Sequence, residues 1–265
     1  MRWLAGIAFA LAASFAAEAR PARVVSINLC TDQLAVLLAH PNQLLSVSWL
    51  ARDRALSPVH DRLAGIAINH AQVEDVLPLR PDLVLAGRFA ARQTQAVLAR
   101  LGFRVIALDI PTSLDQALAA VESVGRALDN FPAAEALVHD LRARLAALPP
   151  LPPDPPLAAV LEPRGVTVGP GTLFDDVLRR AGYSNLAARL GLGAYGELPL
   201  EIVIKHRPAA LIVTAGERPV PSLAEAALAH GALSGMRRIE VPSALTGCGG
   251  PFSVDLAERL ARARS

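Results

Sequence analysis

Cysteine is scarce in this chain: 265 residues carry two, Cys30 and Cys248. That excludes a small scaffold stapled by many disulfides, and without a C-x-x-C pair two cysteines do not define a zinc site. Aromatic residues make up only 4% of the chain, with two Trp and two Tyr. Lys205 is the single lysine, so arginine carries nearly all the positive charge. Net charge is +2, and it remains +2 without residues 1–19, which hold one Arg and one Glu. So even a balance argues against nucleic acid as a partner. The histidines are scattered, and no cluster of His and carboxylates marks a metal site. No Ser or Cys sits in a G-x-S-x-G elbow.

What the chain does have begins at its amino terminus. Met1 and Arg2 form a short basic start, Trp3 to Ala16 an apolar run too short to span a bilayer, and Ala17-Glu18-Ala19 an A-x-A site. This pattern predicts a cleaved signal peptide over 1–19, a mature chain from Arg20, and delivery to a periplasm. Cys30 follows Leu29 and lies well past the apolar run, so it is not read as a lipid-attachment cysteine. No later stretch is long and apolar enough to cross a membrane.

The segment Phe131 to Leu148 organises the rest. Ala134, Leu137, Val138, Leu141, Leu145 and Leu148 fall at helical spacing, with charged residues between them. Pro132 suits a first turn, and the tract Pro149 to Pro156 ends the helix. At about 1.5 Å per residue the helix spans roughly 27 Å. On either side, strand-like and helix-like segments alternate with short joints, which predicts two α/β lobes with mostly parallel sheets, 20–130 and 149–265, joined by the helix 131–148. Predicted strands begin with Arg23 to Asn28, followed by a helix from Gln33 to Leu38 capped by Thr31 or Asp32. Ser113 and Thr172 are expected to cap later helices, a further helix is expected over Leu223 to His230, and Val254 to Ala263 is the closing helix.

Ligands of parallel α/β sheets sit outside the carboxyl ends of the strands. In the first lobe those ends carry Asn28–Cys30, Trp49–Arg52 and Gly87–Phe89. Trp49, Phe89, Tyr195 and Phe252 fall on predicted cleft loops, where flat side chains offer contact area to a large conjugated ligand, Tyr195 being the best candidate; the alternative for each is a core residue. Arg52, Arg88 and Arg164 follow three strand ends and can pair with an anionic ligand or remain solvated.

Four stretches together resemble a known family. They are Arg23-Val-Val-Ser-Ile-Asn-Leu29, Val73-Glu-Asp-Val-Leu-Pro-Leu-Arg-Pro-Asp-Leu-Val-Leu-Ala86, Gly171-Thr-Leu-Phe-Asp-Asp-Val-Leu-Arg-Arg-Ala-Gly-Tyr-Ser-Asn-Leu-Ala187 and Leu198-Pro-Leu-Glu-Ile-Val-Ile-Lys-His-Arg-Pro-Ala-Ala-Leu-Ile-Val213. In this order, around a long central helix, they resemble the periplasmic binding proteins that feed cobalamin and iron–siderophore complexes to ABC importers. The resemblance implies two Rossmann-like lobes bridged by one stiff helix, a bulky metal chelate held between them, no catalysis, no bound cofactor, a monomeric chain, and a permease at the inner membrane as partner. It also implies that Glu74 and Glu201, one per lobe, dock onto that permease. The family's cobalamin binders line their cleft with several tryptophans, whereas here only Trp49 remains after residue 19. Heme stays an alternative cargo, with Tyr195 or His70 as possible axial ligand.

In the implied fold Cys30 and Cys248 both face the cleft. Three states are open to them: a disulfide across the lobes, two free thiols, or a soft ligand pair for a metal centre. A rival reading from another class is a secreted α/β enzyme with one of these cysteines as nucleophile, which needs a histidine to activate the thiol.

Overall fold

A computed structural model describes residues 20–162, 165–215, 231–233 and 235–264. The expected signal peptide, Arg164 and the helix expected over 223–230 lie outside the described residues. Two parallel sheets organise the rest. The first comprises β1 (Val24–Ser26), β2 (Leu44–Ser48), β3 (Ala67–Asn69), β4 (Leu83–Gly87) and β5 (Val105–Leu108), in the order β3-β2-β1-β4-β5. The second comprises β6 (Leu157–Leu161), β8 (Ser184–Asn185), β10 (Ala210–Ala215) and β11 (Arg238–Pro242), in the order β11-β10-β6-β8. Four strands of the first sheet, β2-β1-β4-β5, thus have counterparts in β8-β6-β10-β11. A small antiparallel ribbon of β7 (Val166–Val168) and β9 (Tyr195–Glu197) stands apart.

The central strands β1, β4, β6 and β10 are apolar on both faces because helices cover both, as parallel sheets require. In β1, Val24 turns to the inner core and Val25 to an outer cluster; in β4, Leu83 and Leu85 turn inward and Val84 and Ala86 outward. In the second sheet Ala158, Val160, Ala210 and Ile212 face inward, while Ala159, Leu161, Leu211 and Val213 face a separate outer cluster. The inner faces of both sheets belong to one contiguous core.

Helices pack on both faces of the sheets. They are α1 (Leu29–Leu38), α2 (Val73–Val76), α3 (Arg92–Arg100), α4 (Leu114–Ala127), α5 (Phe131–Ala146), α6 (Leu173–Arg180), α7 (Leu186–Arg189), α8 (Leu200–His206) and α9 (Pro251–Arg264). The chain passes from the first sheet to the second through α4 and α5, which pack on each other. Their contact is close at Gly125, where a Cβ would collide with the Ala134 Cβ. Arg144 on α5 reaches α9, donating from Nε to Glu258 at 2.9 Å and from Nη2 to Asp255 at 2.5 Å. The hydrogen bond from Arg144 holds the Glu258 carboxyl below its ordinary range.

Ser113 and Thr172 cap α4 and α6, each side chain accepting a backbone N–H three residues on. The first helix departs from expectation. It begins at Leu29, capped by Asn28, whose Oδ1 accepts from the Cys30 N–H at 3.0 Å. Thr31 and Asp32 are therefore inside the helix. Thr31 Oγ1 donates back to the Asn28 carbonyl, and Asp32 is fully buried, accepting from Ser48 Oγ at 2.5 Å and Ser48 N at 3.2 Å. Burial pushes the Asp32 carboxyl up to about 6, partly offset by the bonds from Ser26 and Ser48.

Candidate ligand cleft

A cavity of about 810 Å³ opens where the carboxyl ends of the two sheets face each other. In the first sheet it sits at the point where strand order reverses, β1 leading one way and β4 the other, the usual ligand position in such a fold. Its walls are mainly apolar. Phe89, Ile110 and Tyr195 are large side chains left more than half exposed at its edge. A cavity of this size and polarity suits an organic ligand of several rings.

The cysteines meet at the cleft. Cys30, in the first turn of α1, and Cys248, in the loop before α9, form a disulfide with Cα atoms 5.2 Å apart and a sequence separation of 218. No cysteine is free, so the free-thiol, soft-ligand and cysteine-nucleophile readings fall together. The glycines around Cys248 let its loop approach the first lobe: a Cβ on Gly249 would collide with Pro111, on the loop after β5. The bond forms part of the cavity lining and ties the ends of the two sheets on one side of it.

Of the other residues singled out from sequence, Arg88, Phe89 and Tyr195 line the cavity. Tyr195 gets there on β9, which pairs antiparallel with β7, Val168 opposite Tyr195. Trp49 and Arg52 lie on a 3-10 turn after β2 and are not part of the lining; Trp49 is 50% exposed. Phe252 is not on a cleft loop either. It lies in the first turn of α9, because Pro251 starts that helix earlier than the glycine run suggests, and its half-buried ring does not line the cavity. His70 is exposed, beside Asp75. Among the described residues no group of three or more His, Cys, Asp or Glu is placed to hold a metal ion.

Two carboxylates escaped the sequence reading. Asp109 follows β5 as Arg88 follows β4, and the parallel register pairs Gly87 with Leu108, so the next residue on each strand falls side by side. Arg88 grips Asp109 with the Nε–Nη2 edge of its guanidinium, Nη2 donating at 2.7 Å and Nε to the second oxygen. From the second sheet Glu162 follows β6 and accepts from Thr214 Oγ at 2.6 Å. The signal for Asp109 in the sequence was its position directly after the apolar run Val105–Leu108, as Arg88 directly follows Leu83–Gly87.

Glu74 and Glu201 lie outside the cavity, exposed in the first turns of α2 and α8. Their settings match closely. Six residues after each stands an arginine in the left-handed conformation, Arg80 (φ 44°) and Arg207 (φ 43°), followed by proline and then by a central strand, β4 or β10. Two non-glycine residues in this uncommon conformation at equivalent places mark a structural correspondence between the lobes.

Residues 24–231 match the family described as periplasmic binding protein. A cobalamin-binding protein of Halobacterium salinarum is 28% identical over 199 residues, covering 72% of this chain and 53% of that protein. The chain thus spans about half the length of the curated relatives it matches. Among solved structures, the periplasmic heme-binding protein of Roseiflexus sp. RS-1 superposes with a TM-score of 0.75 at 24% identity, covering 91% of this chain and 97% of that one. That of Vibrio cholerae gives 0.76 at 19%, covering 91% and 98%. The periplasmic vitamin B12-binding protein of Vibrio cholerae gives 0.66 at 20%, covering 92% and 96%. At these identities the structures establish a shared fold. With its parallel sheets, its cleft at their carboxyl ends and the family pattern running through both sheets, this chain belongs to the periplasmic binding protein family.

Proposed function

We propose that the chain is the solute-binding component of an ABC importer, capturing a bulky metal chelate of the cobalamin or iron–siderophore type in the periplasm and delivering it to a permease. The observation that carries this reading is the cleft itself: about 810 Å³, mainly apolar, and walled by the carboxyl ends of two sheets. Apolar walls with few polar groups fit a large, self-contained complex, because the chelator already satisfies the metal's ligand needs. The family is one of binding proteins, and its name places it in the periplasm. No helix among the described residues is long and apolar enough to cross a membrane. Residues 1–19 act as the cleaved export signal, and 131–148 form the connection between the lobes.

Glu74 and Glu201 dock the protein onto its permease. Two exposed acids in equivalent settings, one per lobe, suit a two-fold partner carrying basic residues, where charge sets register and encounter rate. A monomer is enough for this. Titrating residues 20–265 with cobalamin, ferric hydroxamates, ferric catecholates and heme tests the reading. One saturable ligand at micromolar affinity or tighter is expected, while no binding across the panel sinks it. Glu74→Arg with Glu201→Arg should abolish import in cells while leaving binding intact.

Heme is the second reading, favoured by Tyr195, a phenol at the cavity edge able to act as an axial ligand. It requires that Tyr195→Phe shift the absorption of added heme; an unchanged spectrum removes it.

A further inference from the structure

We propose that the cleft sorts chelates by charge, accepting neutral and cationic complexes over anionic ones, with Asp109 as the specificity-determining residue. The inference rests on the chelate-capture reading above and adds the class of ligand. Among the described lining residues the ionisable side chains are one guanidinium, Arg88, two carboxylates, Asp109 and Glu162, and the phenol of Tyr195. The formal balance of these described residues is therefore one negative charge.

The guanidinium is also engaged. Parallel pairing of β4 with β5 sets Arg88 beside Asp109, and the Nε–Nη2 edge of its fork is on that carboxylate. An anionic group entering the cleft meets a guanidinium whose charge Asp109 already compensates, and gains its Nε–Nη2 edge only by displacing Asp109 and leaving that carboxylate facing it unpaired. A neutral or cationic complex leaves the pair intact, and a cation gains from Glu162 on the opposite side. Both members of the pair are more than half exposed, which keeps the effect modest. Apolar walls act the other way, since they focus the field of the charges they enclose. Body contacts from Phe89, Ile110 and Tyr195 carry no sign and supply affinity to any complex of the right shape.

The test uses complexes that share a body and differ in charge. Ferrioxamine B carries a pendant ammonium; its N-acetyl derivative is neutral and its N-succinyl derivative anionic. Cyanocobalamin and its monocarboxylate derivative form a second pair. Calorimetric titration should show the anionic member of the bound series about tenfold weaker than its neutral or cationic counterpart at low salt, with the gap shrinking as salt is added. Asp109→Asn, which frees Arg88, should recover most of that loss for the anionic member and change the neutral one less than about twofold. Equal affinity across charges, or an unchanged gap in Asp109→Asn, overturns the charge inference and leaves chelate capture standing. If neither series binds, and cobalamin, heme and catecholate complexes fail as well, chelate capture itself falls, and the charge inference with it.

Discussion

The inner and outer faces of the two sheets differ in one respect. The central strands bury both faces, but the outer faces end in two separate small clusters, around Val25, Val84 and Leu98 in one sheet and Leu161, Leu198 and Val213 in the other. The inner faces run together through α1, α4, α5, α6 and α9 into a single core. The lobes are therefore distinct in topology and joined in packing. Two further ties reinforce the join: the Cys30–Cys248 bond beside the cleft and the Arg144 cluster between α5 and α9. Each of these three ties opposes a swing of the lobes apart.

The largest expected effect comes from cutting the covalent tie. Closing a loop of 218 residues restricts the unfolded chain, and Cys30→Ser with Cys248→Ser should cost about 2–5 kcal/mol in denaturant unfolding. The same protein should show a broader interlobe distance distribution by spin-label measurement. An unchanged distribution would show that packing alone holds the lobes.

Next come paired truncations on the two kinds of face. Leu141 on α5 and Leu198 before α8 are both fully buried, one in the shared core and one in an outer cluster. Each change to Ala should cost about 2–5 kcal/mol. Hydrogen exchange should separate them: Leu141→Ala loosens both sheets, Leu198→Ala only β6 and β10. Loosening confined to one sheet in both variants would break the contrast between the faces.

Asp32 gives the inner core a pH dependence. Its folded carboxyl is raised to about 6 by burial, against 3.8 ordinarily, so the folded state holds the proton more tightly than the unfolded chain. Stability from this group is fully present below about pH 4 and declines as pH rises to about 6, by on the order of 3 kcal/mol. Thermal melts of the wild type should show this decline in that window, and Asp32→Asn should flatten it. The smallest effect is expected at Arg144→Met, about 1–2 kcal/mol, with a loss that fades at high salt.

Legibility in the sequence followed distance along the chain. Capping by Ser113 and Thr172, the helix from Phe131 and the strand–helix alternation are set within a few residues, and each could be read there. The paired Glu–helix–Pro–strand motifs were visible for the same reason, although the matched left-handed arginines were not. Where two local signals competed, reading failed: Thr31 and Asp32 look like caps, but Asn28 takes the role and Asp32 is drawn inside by Ser48. Phe252 was misplaced because glycines suggest a loop and Pro251 starts a helix.

By itself the sequence determined two α/β units around parallel sheets, the central helix and the general place of a cleft at the strand ends, because hydrophobic period and turn chemistry are local properties. Tertiary structure alone decided which of three states the two cysteines adopt, that Arg88 is held by Asp109, that Tyr195 reaches the cleft on an antiparallel ribbon, and that the inner faces merge into one core. Each of these depends on strand register or on contacts between residues far apart in the chain, and no local pattern encodes them.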